Sequence, residues 1–249
     1  MNHEPYGILW RGPFTTSTSQ ADSIISGHAI HWVLSKEVYS SSPRENIEGW
    51  EYQYSASTSD MAIYTRDNLA IVSFRGTVTL SDFRDDVTLS LPGREDSISR
   101  IAPGIQAVSQ ILSDGFLAQC TGHSLGGAIA RKVSQALSLG SVTFNAAAPP
   151  SNPVTTAPGE VDYHIVFDVI SAWTHPSIIR IDKGFRPSIY PLSTVRAHNL
   201  DLFSNEKKGV IITNDQEDIL WKKWFSKLPR LVRKTFLYFI QTKSLPPIL

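Results

Sequence analysis

The residues best suited to chemistry are 122–126, which read G-H-S-L-G and are followed by a further glycine. They lie between a short apolar run, residues 116–121, and a helical pattern, residues 125–138. A strand, a sharp turn and a helix in that order hold the serine at the top of a sheet with its hydroxyl projecting outward. Such a hydroxyl can attack a carbonyl carbon. The sequence therefore predicts Ser124 as a nucleophile.

The residues beside Ser124 have the sizes that this turn requires. Gly122 and Gly126 stand two positions before and after the serine, where a Cβ would collide with the neighbouring strand or helix. The helix that follows directs its N-terminus, and the amide of Leu125, at an oxyanion forming beside Ser124. Leu125 is therefore expected as an oxyanion donor, with the two glycines in supporting positions.

A serine nucleophile needs a general base, which in this kind of fold lies late in the chain. His123 adjoins the serine, but neighbours in a sharp turn point apart. His164 lies in an apolar run and is expected to be a packed strand residue, and His175 lies in a turn. His198 follows a proline-containing loop, as a base delivered to the C-terminal edge of the sheet would. His198 is the predicted base, and the alternative is an exposed loop histidine.

The base must in turn be oriented by an acid between the serine and the histidine. Asp168 ends the apolar run 163–167, where a carboxylate at the C-terminal end of a strand would face the imidazole. Asp162 precedes that strand, at its other end, and Asp182 follows a different strand. Asp168 is the predicted acid, and the alternative is a helix cap or turn residue.

Acyl transfer also needs a second oxyanion donor, from the loop after an earlier strand. Residues 74–77, F-R-G-T, follow an apolar run in the right place. Thr77 would offer its amide and its hydroxyl. An ordinary strand-ending turn explains these four residues equally well.

The rest of the chain supplies elements that can position these residues. Helical patterns and strand-length apolar runs alternate, and a hairpin precedes them. The predicted helices are 20–39, 103–112 and 125–138, and the predicted strands are 61–65, 69–74, 116–121, 141–146, 163–167 and 178–181. This pattern predicts an α/β fold with a mostly parallel central sheet and helices on both faces. Residues 78–100 have no clear period and are expected to form a surface flap or lid.

Composition bounds the kinds of protein this can be. The chain has 249 residues, 41% of them apolar, which suits a single α/β domain over residues 1–249. The formal net charge is zero, so no overall basic character points to nucleic acid. The lone cysteine, Cys120, is expected to be buried in a strand. His28 and His31 have helical spacing but lack a third ligand, so neither a metal nor another cofactor is expected.

The sequence also bears on location. Its first residues lack a basic start followed by an apolar core, and no stretch approaches about eighteen uninterrupted apolar residues. We therefore expect a cytoplasmic or peripheral membrane protein without a signal peptide, and the alternative is a mature secreted protein whose leader has been removed.

The C-terminal segment, residues 216–243, is predicted to be helical, basic and amphipathic. Between residues 219 and 243 there are seven basic residues and no acidic ones. Pro229 is expected to divide it into two helices. A basic face beside Trp and Phe is typical of a helix lying on an anionic membrane surface. A final helix that packs its apolar face on the domain is an equally good interpretation, and the two are compatible.

Four segments carry a family resemblance: A-I-V-S-F-R-G-T, T-G-H-S-L-G-G-A-I-A, H-I-V-F-D-V-I and A-H-N-L. Together they resemble the class 3 lipases, the family of fungal triacylglycerol lipases and plant phospholipase A1-like enzymes, over roughly residues 60 to 205. The resemblance implies an α/β-hydrolase fold, hydrolysis of lipid esters and no metal. The segment between the lid and the serine turn is shorter than the family pattern.

The resemblance also implies roles for individual residues. Ser124 matches the nucleophile, Asp168 the acid and His198 the base, and Thr77 and Leu125 match the oxyanion donors. In addition, Asp86 matches an aspartate that supports the oxyanion residue, and residues 78–87 match the lid. We therefore expect a serine hydrolase that cleaves acyl esters of lipids through an acyl-enzyme. The alternatives are a catalytically inactive lipid- or partner-binding protein that keeps the fold, and a peptidase or acyltransferase with the same triad.

Overall fold

The computed structural model describes residues 28–76, 100–147, 159–168, 171, 178–184, 196–203, 209–230 and 232–234. Within these residues nine strands form one sheet, and neighbours in the sheet follow the order of the chain. The strands are β1 (Asn46–Ile47), β2 (Trp50–Tyr52), β3 (Met61–Arg66), β4 (Leu69–Phe74), β5 (Leu117–His123), β6 (Gly140–Phe144), β7 (Glu160–Ile165), β8 (Ile178–Asp182) and β9 (Val210–Ile212). The helices are α1 (Ala29–Glu37), α2 (Ile101–Ser113), α3 (Leu125–Leu137) and α4 (Asn214–Ser226), with a 3₁₀ helix at Leu200–Phe203.

The centre of the sheet is parallel and its two ends are antiparallel. Strands β4 to β8 pair in parallel. Strands β1 to β4 pair antiparallel, as does β9 with β8, and β3 with β4 forms the predicted hairpin. Because parallel strands end at the same edge, the segments that follow β4, β5, β7 and β8 meet there. That edge carries the candidate site.

Helices cover both faces of the sheet, and the alternation of side chains along each strand explains why. On one face, Tyr64 and Ile71 pack with Leu34 of α1. On the other face, Val72 packs with Val108 of α2 and with Val133 of α3. The prediction of an α/β fold with a parallel central sheet between helices is confirmed.

A third cluster joins the later strands to the C-terminal helix. Phe144 and Ile165 of the sheet pack with Trp224 of α4 and with Leu228 just beyond it, all of them buried. The helix ends at Ser226, and helical backbone resumes after Pro229. The apolar side of this segment is therefore part of the core.

Several predicted elements need correction at their ends. Strand β7 begins at Glu160, so Asp162 lies inside it, buried, and not before it as the apolar run suggested. Helix α2 begins at Ile101, two residues before the expected start at Pro103. Residues 20–27 of the first predicted helix and 78–99 of the predicted flap lie outside the described residues. None of the described helices has the length and apolar character needed to cross a membrane.

Candidate active site

Ser124 occupies the sharp turn that the sequence predicted between β5 and α3. Its backbone has φ 58° and ψ −129°, a conformation that costs a non-glycine residue free energy and persists only when the surroundings enforce it. The Ser124 amide donates to the Phe144 carbonyl at 3.2 Å. The Ser124 carbonyl accepts from the amides of Ala128 and Ala147 at 3.1 and 3.0 Å. Strand β6 and helix α3 together hold the serine in its strained conformation.

The glycines around Ser124 lie where backbone segments touch. A Cβ on Gly122 would lie 2.5 Å from the carbonyl carbon and oxygen of Gly126. A Cβ on Gly126 would overlap the Phe74 carbonyl and come within 2.7 Å of the Gly76 amide nitrogen. Since the obstructing atoms are backbone atoms, no side-chain rotation would relieve these contacts. The close approach brings the end of β4 against the first turn of α3.

His198 and Asp168 meet at this edge of the sheet. Asp168 lies in the turn after β7, and His198 lies in a 3₁₀ turn at residues 196–198. Nδ1 of His198 donates to Oδ2 of Asp168 at 2.8 Å, and the two side chains are 8% and 0% exposed. A proton on Nδ1 leaves Nε2 of the neutral ring as the proton acceptor. This is the tautomer that a general base needs.

The Asp168 carboxyl is charged in this environment. Burial alone would raise its pKa, but the charge and hydrogen bond of His198, the charge of His164 and the hydrogen bond of Ser171 together hold the pKa below its usual value. An ionised Asp168 can only accept, which fixes the direction of its hydrogen bond with His198.

His123 brings the His198 segment beside the serine turn, a role that sequence reasoning missed. Its Nε2–H donates to the His198 carbonyl at 2.7 Å, and the two rings lie 4.6 Å apart between centroids. Burial, reinforced by the charge of His198, lowers the pKa of His123 to about 3, so the ring is neutral. Asn145 adds a second contact, because its side-chain amide donates to the Ala197 carbonyl at 3.0 Å. His198 is thus held next to the residue that precedes Ser124.

The segment after β4 lies against the same turn. A Cβ on Gly76 would be 2.7 Å from the His123 carbonyl oxygen and 3.3 Å from the Gly126 amide nitrogen. The Gly76 amide donates to the Tyr39 hydroxyl at 3.0 Å, and Arg100 donates to the Arg75 carbonyl at 2.6 Å. The chain leading into Thr77 is therefore fixed on two sides.

Of the two residues predicted to stabilise the oxyanion, Leu125 lies within the described residues and Thr77 does not. Leu125 is the first residue of α3, and the amides of a helix's first turn have no acceptor within the helix. Thr77, Asp86 and the predicted lid, residues 78–87, lie outside the described residues.

A second group of buried polar side chains lies behind Asp168. The Ser171 hydroxyl donates to Oδ2 of Asp168 at 2.5 Å, and Nδ1 of His164 lies 2.6 Å from Ser171 Oγ. Nε2 of His164 lies 2.8 Å from Glu217 Oε1, and Arg180 Nε donates to Glu217 Oε2 at 2.7 Å. His164 is a buried strand residue as expected, but both of its ring nitrogens are hydrogen-bonded.

Sequence reasoning could have found one of these partners. Thr213 and Gln216 form a capping box, in which the Thr213 hydroxyl accepts from the Gln216 amide and the Gln216 side chain accepts from the Thr213 amide. This T-x-x-Q pattern fixes the start of α4 and places Glu217 in its first turn. No local pattern connects Glu217 to β7.

Ser171, His164 and Glu217 contain the residue types of a triad, but their arrangement does not suit nucleophilic attack. Ser171 is 1% exposed. Its hydroxyl donates to the Asp168 carboxylate at 2.5 Å, so its proton is not directed at a histidine nitrogen as the proton of a triad serine is. These side chains support Asp168.

His28 and His31 have partners other than a metal. His28 Nδ1 lies 2.7 Å from the Tyr163 hydroxyl, and His31 Nε2 lies 3.0 Å from Gln119 Oε1. Among the residues that the structure describes, no cluster of His, Cys, Asp and Glu could hold a metal ion. Cys120 is buried in β5, and burial raises the pKa of its thiol to about 12.

A strained serine between a strand and a helix, at the edge of a parallel sheet covered on both faces, is the architecture of the α/β hydrolases. Residues 40–174, more than half of the chain, match the family model of phospholipase-like proteins described as the Tle-like phospholipase domain. The chain therefore belongs to this phospholipase-like family, whose members are lipid ester hydrolases. The predicted relationship to lipases and phospholipases is confirmed at that level.

No curated protein sequence matches the chain. A solved structure of a fungal lipase in complex with an inhibitor is similar over 68% of this chain and 84% of its own, with 15% sequence identity and a TM-score of 0.44. A similarity this distant carries no function across.

Proposed function

We propose that this protein hydrolyses acyl esters of phospholipids with Ser124 as the nucleophile. The observation that carries the proposal is the hydrogen bond between His198 and Asp168, which lies beside the strained turn of Ser124 through the contact of His198 with His123. Membership of the phospholipase-like family supports lipid esters as the substrate class.

The chemistry divides into two steps. Ser124 Oγ attacks the ester carbonyl while Nε2 of His198 takes the hydroxyl proton, and Asp168 stabilises the imidazolium. The ester C–O bond then breaks, the alcohol leaves with the proton from His198, and an acyl-enzyme remains. A water molecule, activated by the same imidazole, attacks the acyl carbon and releases the fatty acid. The amides of Leu125 and Thr77 stabilise the oxyanion in both steps.

The exposed side of α4 suggests how the protein meets its substrate. Lys222, Lys223 and Lys227 are exposed, whereas Trp224 and Leu228 on the same segment are buried in the core. The lysine side chains therefore face outward from a helix whose apolar side is already packed. Basic side chains near an anionic bilayer contribute about 1 kcal/mol each to binding. We assign this face to electrostatic docking on anionic phospholipid.

Covalent labelling tests the nucleophile. We expect a fluorophosphonate probe to label the wild-type protein and not the Ser124→Ala variant, and only the wild type to release fatty acid from phosphatidylcholine vesicles. Ser73→Ala is the control for loss of a buried serine, since that hydroxyl donates to the Leu34 carbonyl on α1. A wild-type protein that is neither labelled nor active would contradict the proposal and favour a non-catalytic lipid- or partner-binding protein.

Product analysis distinguishes ester hydrolysis from acyl transfer and from peptide cleavage. With phospholipid and a competing alcohol or amine, a hydrolase releases mainly free fatty acid. Mainly transacylated product would identify an acyltransferase, and cleavage of peptides in place of esters would identify a peptidase. Either result would overturn the phospholipid-hydrolase assignment.

Vesicle composition tests the docking face. We expect binding and hydrolysis to increase when phosphatidylglycerol is added to phosphatidylcholine vesicles, and the increase to disappear in a Lys222→Gln, Lys223→Gln, Lys227→Gln variant. Lys132→Gln, an exposed lysine on α3, is the control. Hydrolysis that ignores anionic lipid would exclude electrostatic docking.

A further inference from the structure

A continuous row of hydrogen bonds runs from the candidate base into the sheet. It passes from His198 to Asp168, to Ser171 and to His164, and then to Glu217 and Arg180, over distances between 2.5 and 2.8 Å. All six side chains are buried. In a buried site each donor must face an acceptor, so the row fixes where the protons are.

The Ser171 hydroxyl determines which atom donates in its contact with His164. Its hydroxyl has one hydrogen, and its nearest acceptor is the Asp168 carboxylate at 2.5 Å. Asn145 Oδ1 lies 3.4 Å from Ser171 Oγ and is a second acceptor for the same hydrogen. The Ser171 hydroxyl therefore does not donate to His164. Nδ1 of His164, 2.6 Å from Ser171 Oγ, must therefore donate.

The other nitrogen of His164 must donate as well. Arg180 Nε donates to Oε2 of Glu217 at 2.7 Å and Trp221 Nε1 donates to Oε1 at 3.3 Å, so both oxygens of Glu217 accept hydrogen bonds from other residues. Burial raises the pKa of Glu217, but its hydrogen bonds and the neighbouring charges lower it below its usual value. An ionised Glu217 accepts and cannot donate, so Nε2 of His164 carries a hydrogen. A histidine with hydrogens on both nitrogens is an imidazolium cation.

We propose that His164 is a buried imidazolium that, through Ser171, holds the Asp168 carboxylate in the orientation that His198 requires. His164 is then a positioning residue for the proposed hydrolysis, and this inference rests on that function only for its kinetic consequence. Among the residues that the structure describes, the two cations His164 and Arg180 face the two anions Asp168 and Glu217. A buried group of this kind is stable only when every charge is paired.

Further charged groups lie around this row on each packed element. Arg180 of β8 is the register partner of His164 in the sheet, and Glu217 reaches it from α4. Asp162 lies on β7 itself, where its carboxyl accepts from the Thr143 hydroxyl at 2.8 Å and lies 3.8 Å from an Arg131 nitrogen. Burial raises the pKa of Asp162, and Arg131, which also binds Glu160, partly opposes this.

The protonation state can be measured without any catalysis. In nitrogen-15 NMR of histidine-labelled Ser124→Ala protein at pH 7, we expect both ring nitrogens of His164 to be protonated, as its two hydrogen bonds require. Glu217→Gln removes the anion that accepts from Nε2, and the same spectrum should then show one unprotonated nitrogen. A His164 ring in the wild-type network with one unprotonated nitrogen at pH 7 would overturn the proposal, whether or not the protein is a hydrolase.

Kinetics test whether the cation acts on the reaction. We expect Ser171→Ala, which separates His164 from Asp168, to lower kcat/KM about ten-fold, equivalent to about 1.4 kcal/mol of transition-state stabilisation. The acid limb of the pH profile should move to higher pH, because an Asp168 carboxylate without the Ser171 hydrogen bond stabilises the imidazolium form of the base more strongly. Ser35→Ala is the matched control, since that buried hydroxyl lies 3.0 Å from the Thr121 hydroxyl. If Ser171→Ala and Ser35→Ala gave the same kcat/KM and the same pH profile, the positioning role would be excluded even with the hydrolase activity intact.

Discussion

His198 and Asp168, 30 residues apart in the chain, are joined by a hydrogen bond of 2.8 Å that is almost entirely shielded from water. Replacing Asp168 by Asn keeps the shape of this pair but changes its protons, because an amide can donate to Nδ1 and so leave the hydrogen on Nε2. We expect kcat for a short-chain ester to fall about 10⁴-fold.

The measurement for Asp168→Asn is steady-state hydrolysis together with the rate of fluorophosphonate labelling, which should fall in parallel. Circular dichroism checks that the variant is folded. A folded Asp168→Asn protein with wild-type kcat would show that the pair has no part in the reaction.

The serine turn should not tolerate a methyl group at Gly126. A Cβ there meets backbone atoms of Phe74, Arg75 and Gly76. We expect Gly126→Ala to lower the free energy of unfolding by about 3 kcal/mol and to abolish activity, since two backbones must separate.

Gly115→Ala is the control that separates the steric effect of a Cβ at Gly126 from the strain of an alanine at positive φ. Gly115 has φ 92° and nothing within 4 Å of its Cβ position. Its substitution should cost about 1–2 kcal/mol in urea unfolding and leave kcat unchanged. Equal effects of the two substitutions on activity would mean that the close approach at Gly126 is unimportant.

Tyr39 is expected to influence the reaction through the segment that leads to Thr77. Its partly buried hydroxyl accepts from the Gly76 amide, and burial raises the pKa of this hydroxyl to about 12, so it stays protonated at any working pH. Tyr39→Phe removes the acceptor of the Gly76 amide and should lower kcat about ten-fold with little change in KM. Deleting one oxyanion donor lowers kcat about 10²–10³-fold, and we expect a smaller loss because the predicted donor Thr77 would only be displaced.

Tyr64→Phe is the matched control for Tyr39→Phe. Tyr64 is also buried, but its hydroxyl donates to the Arg44 carbonyl at 3.2 Å, on the far side of the hairpin. We expect both variants to lose some stability and only Tyr39→Phe to lose kcat. A Tyr64→Phe variant equally impaired in kcat would point to a general loss of structure.

His31 should make the protein less stable in mild acid. Burial first, and the charge of His28 second, lower its pKa from 6.5 to about 4. Below pH 6.5 the unfolded chain binds a proton at this position and the folded chain does not, so the free energy of unfolding falls until the pH reaches about 4. Between pH 7 and pH 5 this amounts to about 2 kcal/mol.

Urea unfolding at the two pH values measures the contribution of His31. We expect the His31→Gln variant to lose about 2 kcal/mol less than the wild type between pH 7 and pH 5. Identical losses in the two proteins would mean that His31 binds its proton in the folded state.

The parts of the fold that sequence reasoning predicted depend on local patterns. The turn at Ser124 combines glycine spacing with a change of hydrophobic period, and the predicted helix 125–138 matches α3 to within one residue. The hairpin of β3 and β4 follows from two apolar runs with a polar turn. These signals need only neighbouring residues.

What the sequence could not reveal depends on contacts between distant segments. The sequence predicts Asp162 outside β7 because a carboxylate interrupts an apolar run, whereas inside the sheet its carboxyl accepts from the Thr143 hydroxyl and burial raises its pKa. The apolar run also predicts His164 as a packed residue, because its partners Ser171 and Glu217 come from unrelated parts of the chain.

The C-terminal segment shows an intermediate case. Its amphipathic pattern left open whether the apolar side packs on the domain or meets a membrane. Burial of Trp224 and Leu228 assigns the described part of that side to the core. The exposed lysines leave contact with a membrane as an interpretation for the basic side only.

The order of the strands has a consequence for the cell that makes this protein. Sheet neighbours follow one another along the chain, and the serine, the acid and the histidine follow β5, β7 and β8 in turn. During synthesis Ser124 emerges from the ribosome well before His198, the candidate base, and helix α4 with Glu217 emerges later than both. Under the proposed function, a nascent chain therefore cannot cleave lipid esters before the segment after β8 has joined the edge of the sheet.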